Sequence, residues 1–216
     1  MGDLCADLRT DGFELIETHI SWVFVGGDEV FKVKRPVDFG FLDFTSLEAR
    51  EAACKAEVAL NRRLAPDVYL GVVPITRDES GQHVFGGEGA AVDFAVHMRR
   101  LDEAERADQR LAEGRLTPED IDALALRIAD FHGEARCDDE TTRHGAPSVI
   151  RRNVEENFAQ TRDTIGEFLS DEDARAVEAW QRDFLQDEGR FEARQRSGAV
   201  RDGHGDLRLE HVYFGD

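Results

Sequence analysis

Lysine is almost missing from this chain. Of 27 lysines and arginines, only Lys32, Lys34 and Lys55 are lysine, and two of those stand two residues apart. Positive charge of either kind is scarce beside 46 acidic residues, and the formal net charge is −19. A general nucleic-acid binder needs a basic footprint to neutralise phosphates, so this balance argues against a nucleic-acid partner. Arginine supplies nearly all the positive charge, a bias that fits a GC-rich genome or salt adaptation. Cysteine is sparse too. Cys5, Cys54 and Cys137 are odd in number and widely spaced, with no metal or redox pattern. A reducing, cytoplasmic setting is expected. No apolar run approaches the ~20 residues that span a bilayer, and no basic-plus-apolar leader opens the chain, so no membrane partner is expected. Internal repeats and low-complexity stretches are absent as well.

What is present suits one large domain or two small lobes sharing a cleft. Residues 13–37 read as strands. Trp22-Val23-Phe24-Val25 is a compact apolar run, Gly26-Gly27-Asp28 a hairpin turn, and Glu29 to Lys34 the returning strand. Side chains alternate along that strand, so Val30, Lys32 and Lys34 share one face while Phe31 and Val33 share the other. A lysine among apolar neighbours is costly if buried unpaired. The other reading is two surface lysines on an edge strand.

Thr45-Ser46-Leu47-Glu48 reads as a capping box and predicts a helix from there to about Leu64, stopped by Pro66. At 100° per residue, Ala53, Leu60 and Leu64 fall to one side of Glu57, and Cys54 and Val58 to the other. Glu57 therefore sits in the apolar arc and needs a cation, for which Lys32 is the candidate. Lys34 is expected on the same face but closer to solvent. Alternatively, Glu57 reaches past the helix edge into water.

Further strands are expected at Gly71–Thr76, His83–Phe85 and Val92–Met98, with a turn at Asp78-Glu79-Ser80-Gly81. Composition turns polar at Arg99, which sets a boundary between residues 1–98 and 99–216. Beyond it the pattern is helical. Thr117-Pro118-Glu119-Asp120 is a strong helix start, followed by the face Ile121, Leu124, Ala125, Ile128 and Phe131. His132 at its end reads as a packing or hydrogen-bonding residue, not a ligand. A second helix is expected over Val149–Leu169, and a third from the Ser170 cap to about Arg194. The stripe Ala176, Val177, Trp180 and Phe184 is expected to be core. The fold class is α+β.

Near the end stands His204-Gly205-Asp206-Leu207-Arg208-Leu209-Glu210-His211, followed by the apolar Val212-Tyr213-Phe214, which reads as a strand. A carboxylate between a glycine turn and a strand is well placed to meet a substrate hydroxyl. Taken alone, His204, Asp206 and His211 also suit a metal hydrolase. The segment resembles the catalytic loop of the aminoglycoside phosphotransferase-like kinases, usually His-Gly-Asp-x-x-x-x-Asn. More distantly it is similar to the protein-kinase loop His-Arg-Asp-x-x-x-x-Asn. Glu17-Thr18-His19-Ile20-Ser21-Trp22 and Phe31-Lys32-Val33-Lys34-Arg35-Pro36-Val37 extend the likeness to the bacterial branch of that family often fused to a P-loop ATPase domain.

The resemblance implies a two-lobed protein-kinase-like fold. Its antiparallel-sheet N-lobe would span residues 1–98, and an incomplete helical C-lobe 99–216. It implies an ATP- and Mg²⁺-dependent phosphotransferase acting on a hydroxyl of a small-molecule substrate, such as a sugar, an aminoglycoside or another polyol. Asp206 would be the catalytic base. Arg208 falls where protein kinases carry a phosphate-binding lysine, and His211 falls on the metal-binding Asn. Lys32, held by Glu57, would bind the ATP phosphates. Thr18 and Ser21 stand in for the phosphate-covering loop, in a stretch with no glycine. The backbone from Ala95 to Met98 would meet adenine. A nucleotide-binding pseudokinase without transfer is the rival reading. In kinases the strand after this loop brings a magnesium-binding aspartate. Nothing follows Gly215-Asp216, so a truncated and inactive chain is expected, with the strand Val212–Phe214 bare along one edge. A longer form would carry a C-terminal P-loop ATPase domain.

Overall fold

The computed structural model describes residues 4–9, 12–40 and 42–215. They form two compact units, one of Met1–Thr117 with Arg208–Asp216, the other of Pro118–Leu207. The division thus falls at the Thr117-Pro118 helix start, whereas composition alone sets a boundary at Arg99. Backbone bonds tie residues 99–117 to the first unit: the Arg99 and Arg100 amides donate to the Val68 and Asp28 carbonyls at 2.9 and 2.8 Å.

The first unit runs α1 (Leu4–Arg9), β1 (Glu14–Glu17), β2 (Ser21–Gly26), β3 (Glu29–Lys34), α2 (Leu47–Asn61), β4 (Tyr69–Arg77), β5 (His83–Phe85), β6 (Asp93–Arg99) and α3 (Ala107–Ala112). Its six strands make one sheet in the order β1-β2-β3-β6-β4-β5, every neighbour antiparallel. Gly26 faces Glu29 across the β2–β3 hairpin, so only Gly27 and Asp28 make the turn. Gly27 has φ +54°, a left-handed backbone that a side chain disfavours. At the β4–β5 turn, the Asp78 carboxylate accepts from the Ser80 amide, the Ser80 hydroxyl and the Gln82 amide.

Strand alternation divides the core. Phe31 and Val33 join Leu8, Phe24, Ile75 and Ala95 on the α1 side of the sheet. The opposite face meets α2, where Cys54, Val58 and Val96 form a second cluster flanked by Tyr69, Val72, Phe94 and Met98. Lys32 and Lys34 lie on this α2 side, as the period-two pattern of β3 requires. Helix α2 is capped one residue later than the capping box suggests. The Ser46 hydroxyl accepts from the Ala49 amide at 3.1 Å, while the Thr45 hydroxyl turns to Asp43. The helix ends at Asn61, short of Leu64. Its buried stripe is Arg50, Cys54 and Val58, spaced by four, and Leu60 is exposed. The inward face is therefore narrower than expected and turned away from Leu60.

Residues 208–215 belong to the first unit. Val212–Phe214 is not a full strand. Tyr213 makes one antiparallel bridge to Arg106, the Ala107 amide donates to the Val212 carbonyl at 2.8 Å, and the Phe214 amide donates to the Glu105 carbonyl at 2.9 Å. One edge is thus met by residues 105–107. Asp216 lies outside the described residues.

The second unit contains α4 (Pro118–Glu134), α5 (Asp139–Arg143), α6 (Pro147–Thr161), α7 (Asp171–Phe184) and α8 (Glu188–Arg196). Two helices that read as continuous are broken. The first is α6 plus a 3-10 turn at Ile165–Glu167. There the Thr161 and Thr164 hydroxyls bond to backbone carbonyls, which competes with the helix ladder. The second starts at the Ser170 cap as expected, with its hydroxyl accepting from the Asp173 amide at 3.1 Å. It then divides into α7 and α8 at Leu185–Asp187. The α7 stripe is not core. Val177 and Phe184 are exposed, and Trp180 is 65% exposed while stacking on Phe184. Among the described residues, no helix is long and apolar enough to cross a membrane. The architecture is α+β, an antiparallel sheet with helices.

Candidate functional site

On the α2 face of the sheet, one carboxylate meets two lysines. The Lys32 ammonium donates to Glu57 Oε1 at 2.9 Å, and the Lys34 ammonium pairs with Glu57 Oε2. The expected Lys32–Glu57 pair is therefore present. The expectation for Lys34 is overturned: its side chain is 7% exposed against 31% for Lys32. The register is not slipped, since Lys32 faces Val23 and Val96 across the sheet. Lys34 is deeper because the Phe44 ring lies 5.7 Å from its ammonium and the fully buried Ser21 stands opposite it on β2.

Burial pushes the Glu57 carboxyl up, but Lys32 and then Lys34 outweigh burial and hold it below the ordinary glutamate range. Two ammonium groups on one carboxylate leave a surplus positive charge, and Glu57 is the one carboxylate either lysine meets among the described residues. Its neighbours do not cancel that surplus. Burial pushes the Cys54 thiol up to about 11 and also raises the Tyr69 hydroxyl, so both are neutral at pH 7. The partly exposed Lys32 is thus the side from which an anion can approach.

A second buried pair, unforeseen from the sequence, fixes α2 on the sheet. Arg50 Nε donates to both Asp93 oxygens at 2.9 and 3.1 Å, and Nη1 donates to the Phe44 and Thr45 carbonyls at 3.1 Å each. Both residues are buried. Arg50 precedes Cys54 and Val58 by four and eight positions, and a charged residue at the head of that stripe was the available signal.

Thr18 and Ser21 come together, but in a closed loop. The Thr18 hydroxyl donates to the Ser21 carbonyl and accepts from the Ser21 amide, both at 2.9 Å. Arg35 Nη1 donates to the Thr18 carbonyl at 2.8 Å. Ser21 is fully buried, and its hydroxyl has no hydrogen-bond partner among the described residues. That burial leaves the hydroxyl with no direct route to solvent. Met98 sits on β6. It lies inside the sheet, opposite Val30 on β3 and Tyr69 on β4, and the next two amides are already used. The backbone at Ala95–Met98 takes part in pairing with β3 and β4.

Asp206 is exposed, and its amide donates to His204 Nδ1 at 3.3 Å. Gly205 has φ +79°, so the tight loop before this carboxylate needs glycine. Arg208 and His211 are brought together by the 3-10 turn Leu209–His211, with Arg208 Nη2 3.4 Å from His211 Nε2. Arg208 Nη1 also lies 3.4 Å from Glu210 Oε2. A histidine nitrogen turned to a guanidinium is poorly disposed to bind a cation. Among the described residues, no three His, Cys, Asp or Glu side chains gather into a metal-binding group. The described residues do not by themselves make a magnesium site.

The chain is 32% identical over 201 residues to proteins described as uncharacterized from Mycobacterium bovis and from two strains of Mycobacterium tuberculosis. Each match covers 93% of this chain, which spans only 39% of the relative's length. No family model matches the chain, and no solved structure matches it.

Proposed function

We propose that this chain forms the nucleotide-binding and phosphotransferase part of an ATP-dependent kinase of protein-kinase-like architecture, acting on a hydroxyl of a small molecule. One observation carries the reading. Lys32, on the third strand of an antiparallel sheet, is bonded at 2.9 Å to Glu57 on the helix that follows that strand. Protein kinases fix their phosphate-binding lysine by such a strand–helix pair. The sheet order supports the same reading, because β3 and β6 are adjacent and the helix between β3 and β4 covers them. The surplus positive charge beside Glu57 suits the phosphates of ATP.

In this reading Lys32 binds the ATP phosphates, and Asp206 is the base that the His204–His211 resemblance assigns. The substrate hydroxyl oxygen bonds to the γ-phosphorus while the bond from that phosphorus to the β,γ-bridging oxygen breaks. The electron pair leaves with ADP, and the hydroxyl proton passes to Asp206. Such transfer depends mostly on positioning and electrostatic stabilisation.

The test is transfer of label from γ-labelled ATP to a panel of sugars, aminoglycosides and other polyols, using the full-length protein. Asp206→Ala is expected to reduce transfer by about 10²–10⁴-fold while leaving ATP affinity unchanged. Transfer that survives Asp206→Ala removes Asp206 as the base. ATP binding with no transfer to any compound would favour a nucleotide-binding module instead.

A further inference from the structure

We infer that Lys34 is a positioning residue for the phosphate-binding lysine, acting through Glu57; this rests on the kinase reading above. The single Lys–Glu pair of protein kinases has become a three-membered cluster here, with one oxygen of Glu57 given to each lysine. The two lysines are not equivalent. The side chain of Lys34 is shut in by Phe44 and the buried Ser21, so it has no direct route to a ligand. Lys32 is partly open.

The division has a physical consequence. With Lys32 alone, a bound phosphate competes with Glu57 for the same ammonium. A buried carboxylate losing its only cation then takes up a proton or moves. Lys34 removes that conflict, because it keeps Glu57 ionised and anchored whether or not Lys32 turns toward phosphate. Among the described residues, the charged and titratable groups acting on or with Glu57 are Lys32 and Lys34 on β3, Cys54 on its own helix and Tyr69 on β4, while Asp93 of the Arg50–Asp93 pair acts on Cys54. None but Lys34 differs between the wild type and a Lys34 variant, so their contributions cancel in the comparison.

The experiment compares wild type, Lys34→Met and Lys34→Arg in the full-length protein. Methionine keeps the length of the buried side chain without its charge. Two quantities are read from about pH 3 to about pH 8, a span that reaches below the ordinary glutamate value: the titration of the Glu57 carboxyl by carbon NMR, assigned with Glu57→Gln, and ATP affinity. In Lys34→Met, the Glu57 titration and the acid limb of ATP binding are both expected to rise by about 1 pH unit, the low end of what one opposite charge does to a carboxylate. Lys34→Arg is expected to restore both. Protonation of ATP itself is common to all three proteins. Lowered stability with unmoved titration and parallel binding profiles would reduce Lys34 to a structural residue and overturn the inference. Failure of the underlying reading is seen separately, as absence of ATP binding by the wild type at every pH.

Discussion

Replacing Arg50 with methionine is expected to destabilise the first unit by about 3–5 kcal/mol, the usual cost of leaving one partner of a buried ion pair behind. Among the described residues, Asp93 would keep only the Phe94 amide as a donor, at 2.9 Å. The Phe44 and Thr45 carbonyls would lose the guanidinium that ties the entrance of α2 to β6. The chain has two tryptophans, Trp22 in the first unit and Trp180 in the second. In a Trp180→Phe background, Trp22 fluorescence during urea unfolding reports the first unit alone. The double change Arg50→Met with Asp93→Leu is expected to recover much of the loss, because replacing a whole buried pair by apolar groups is often near neutral. A single variant as stable as the wild type would contradict the role given to this pair.

Glu57→Gln is expected to be comparably damaging, by about 3 kcal/mol, because it leaves the buried Lys34 ammonium beside that of Lys32 with no counter-charge. The pH dependence follows from the lowered pKa of Glu57. A carboxyl held below its ordinary value stabilises the fold above about pH 4.3, and that contribution is lost as pH falls through the folded-state value. The stability difference between wild type and Glu57→Gln should therefore be level near neutrality and shrink on acidification past that point. Urea unfolding at a series of pH values measures it. A difference independent of pH would mean that Glu57 is not held ionised by the lysines.

Much of the first unit was legible because its signals are local. Strand alternation put Lys32 and Lys34 on one face, the glycine hairpin fixed β2 against β3, and helical phase turned Glu57 toward them. What was not legible depends on packing between distant segments. Nothing in the period of β3 says that Phe44 will close over Lys34, so the deeper lysine was taken for the more exposed one. Arg50 was not singled out, because its partner Asp93 lies far along the chain and on another element. Ser21 looked like a loop hydroxyl, yet cross-strand pairing with Lys34 buries it. In the second unit, the α7 stripe has the spacing of a core face, but spacing cannot say whether a partner covers it, and Trp180 is largely exposed. The His204–His211 segment stood out only through its motif, since an exposed aspartate after a glycine turn has no packing signature.

The central claim is that Lys32, oriented by Glu57, binds the phosphates of ATP. Calorimetric titration of ATP and of adenosine into the full-length wild type and Lys32→Met tests it most directly. Losing one charge-assisted hydrogen bond costs about 1.5–3 kcal/mol, so ATP affinity is expected to fall about 10–100-fold. Adenosine has no phosphates, and its affinity should not change. Equal ATP affinity in the two proteins, or an equal loss for adenosine, would contradict the account.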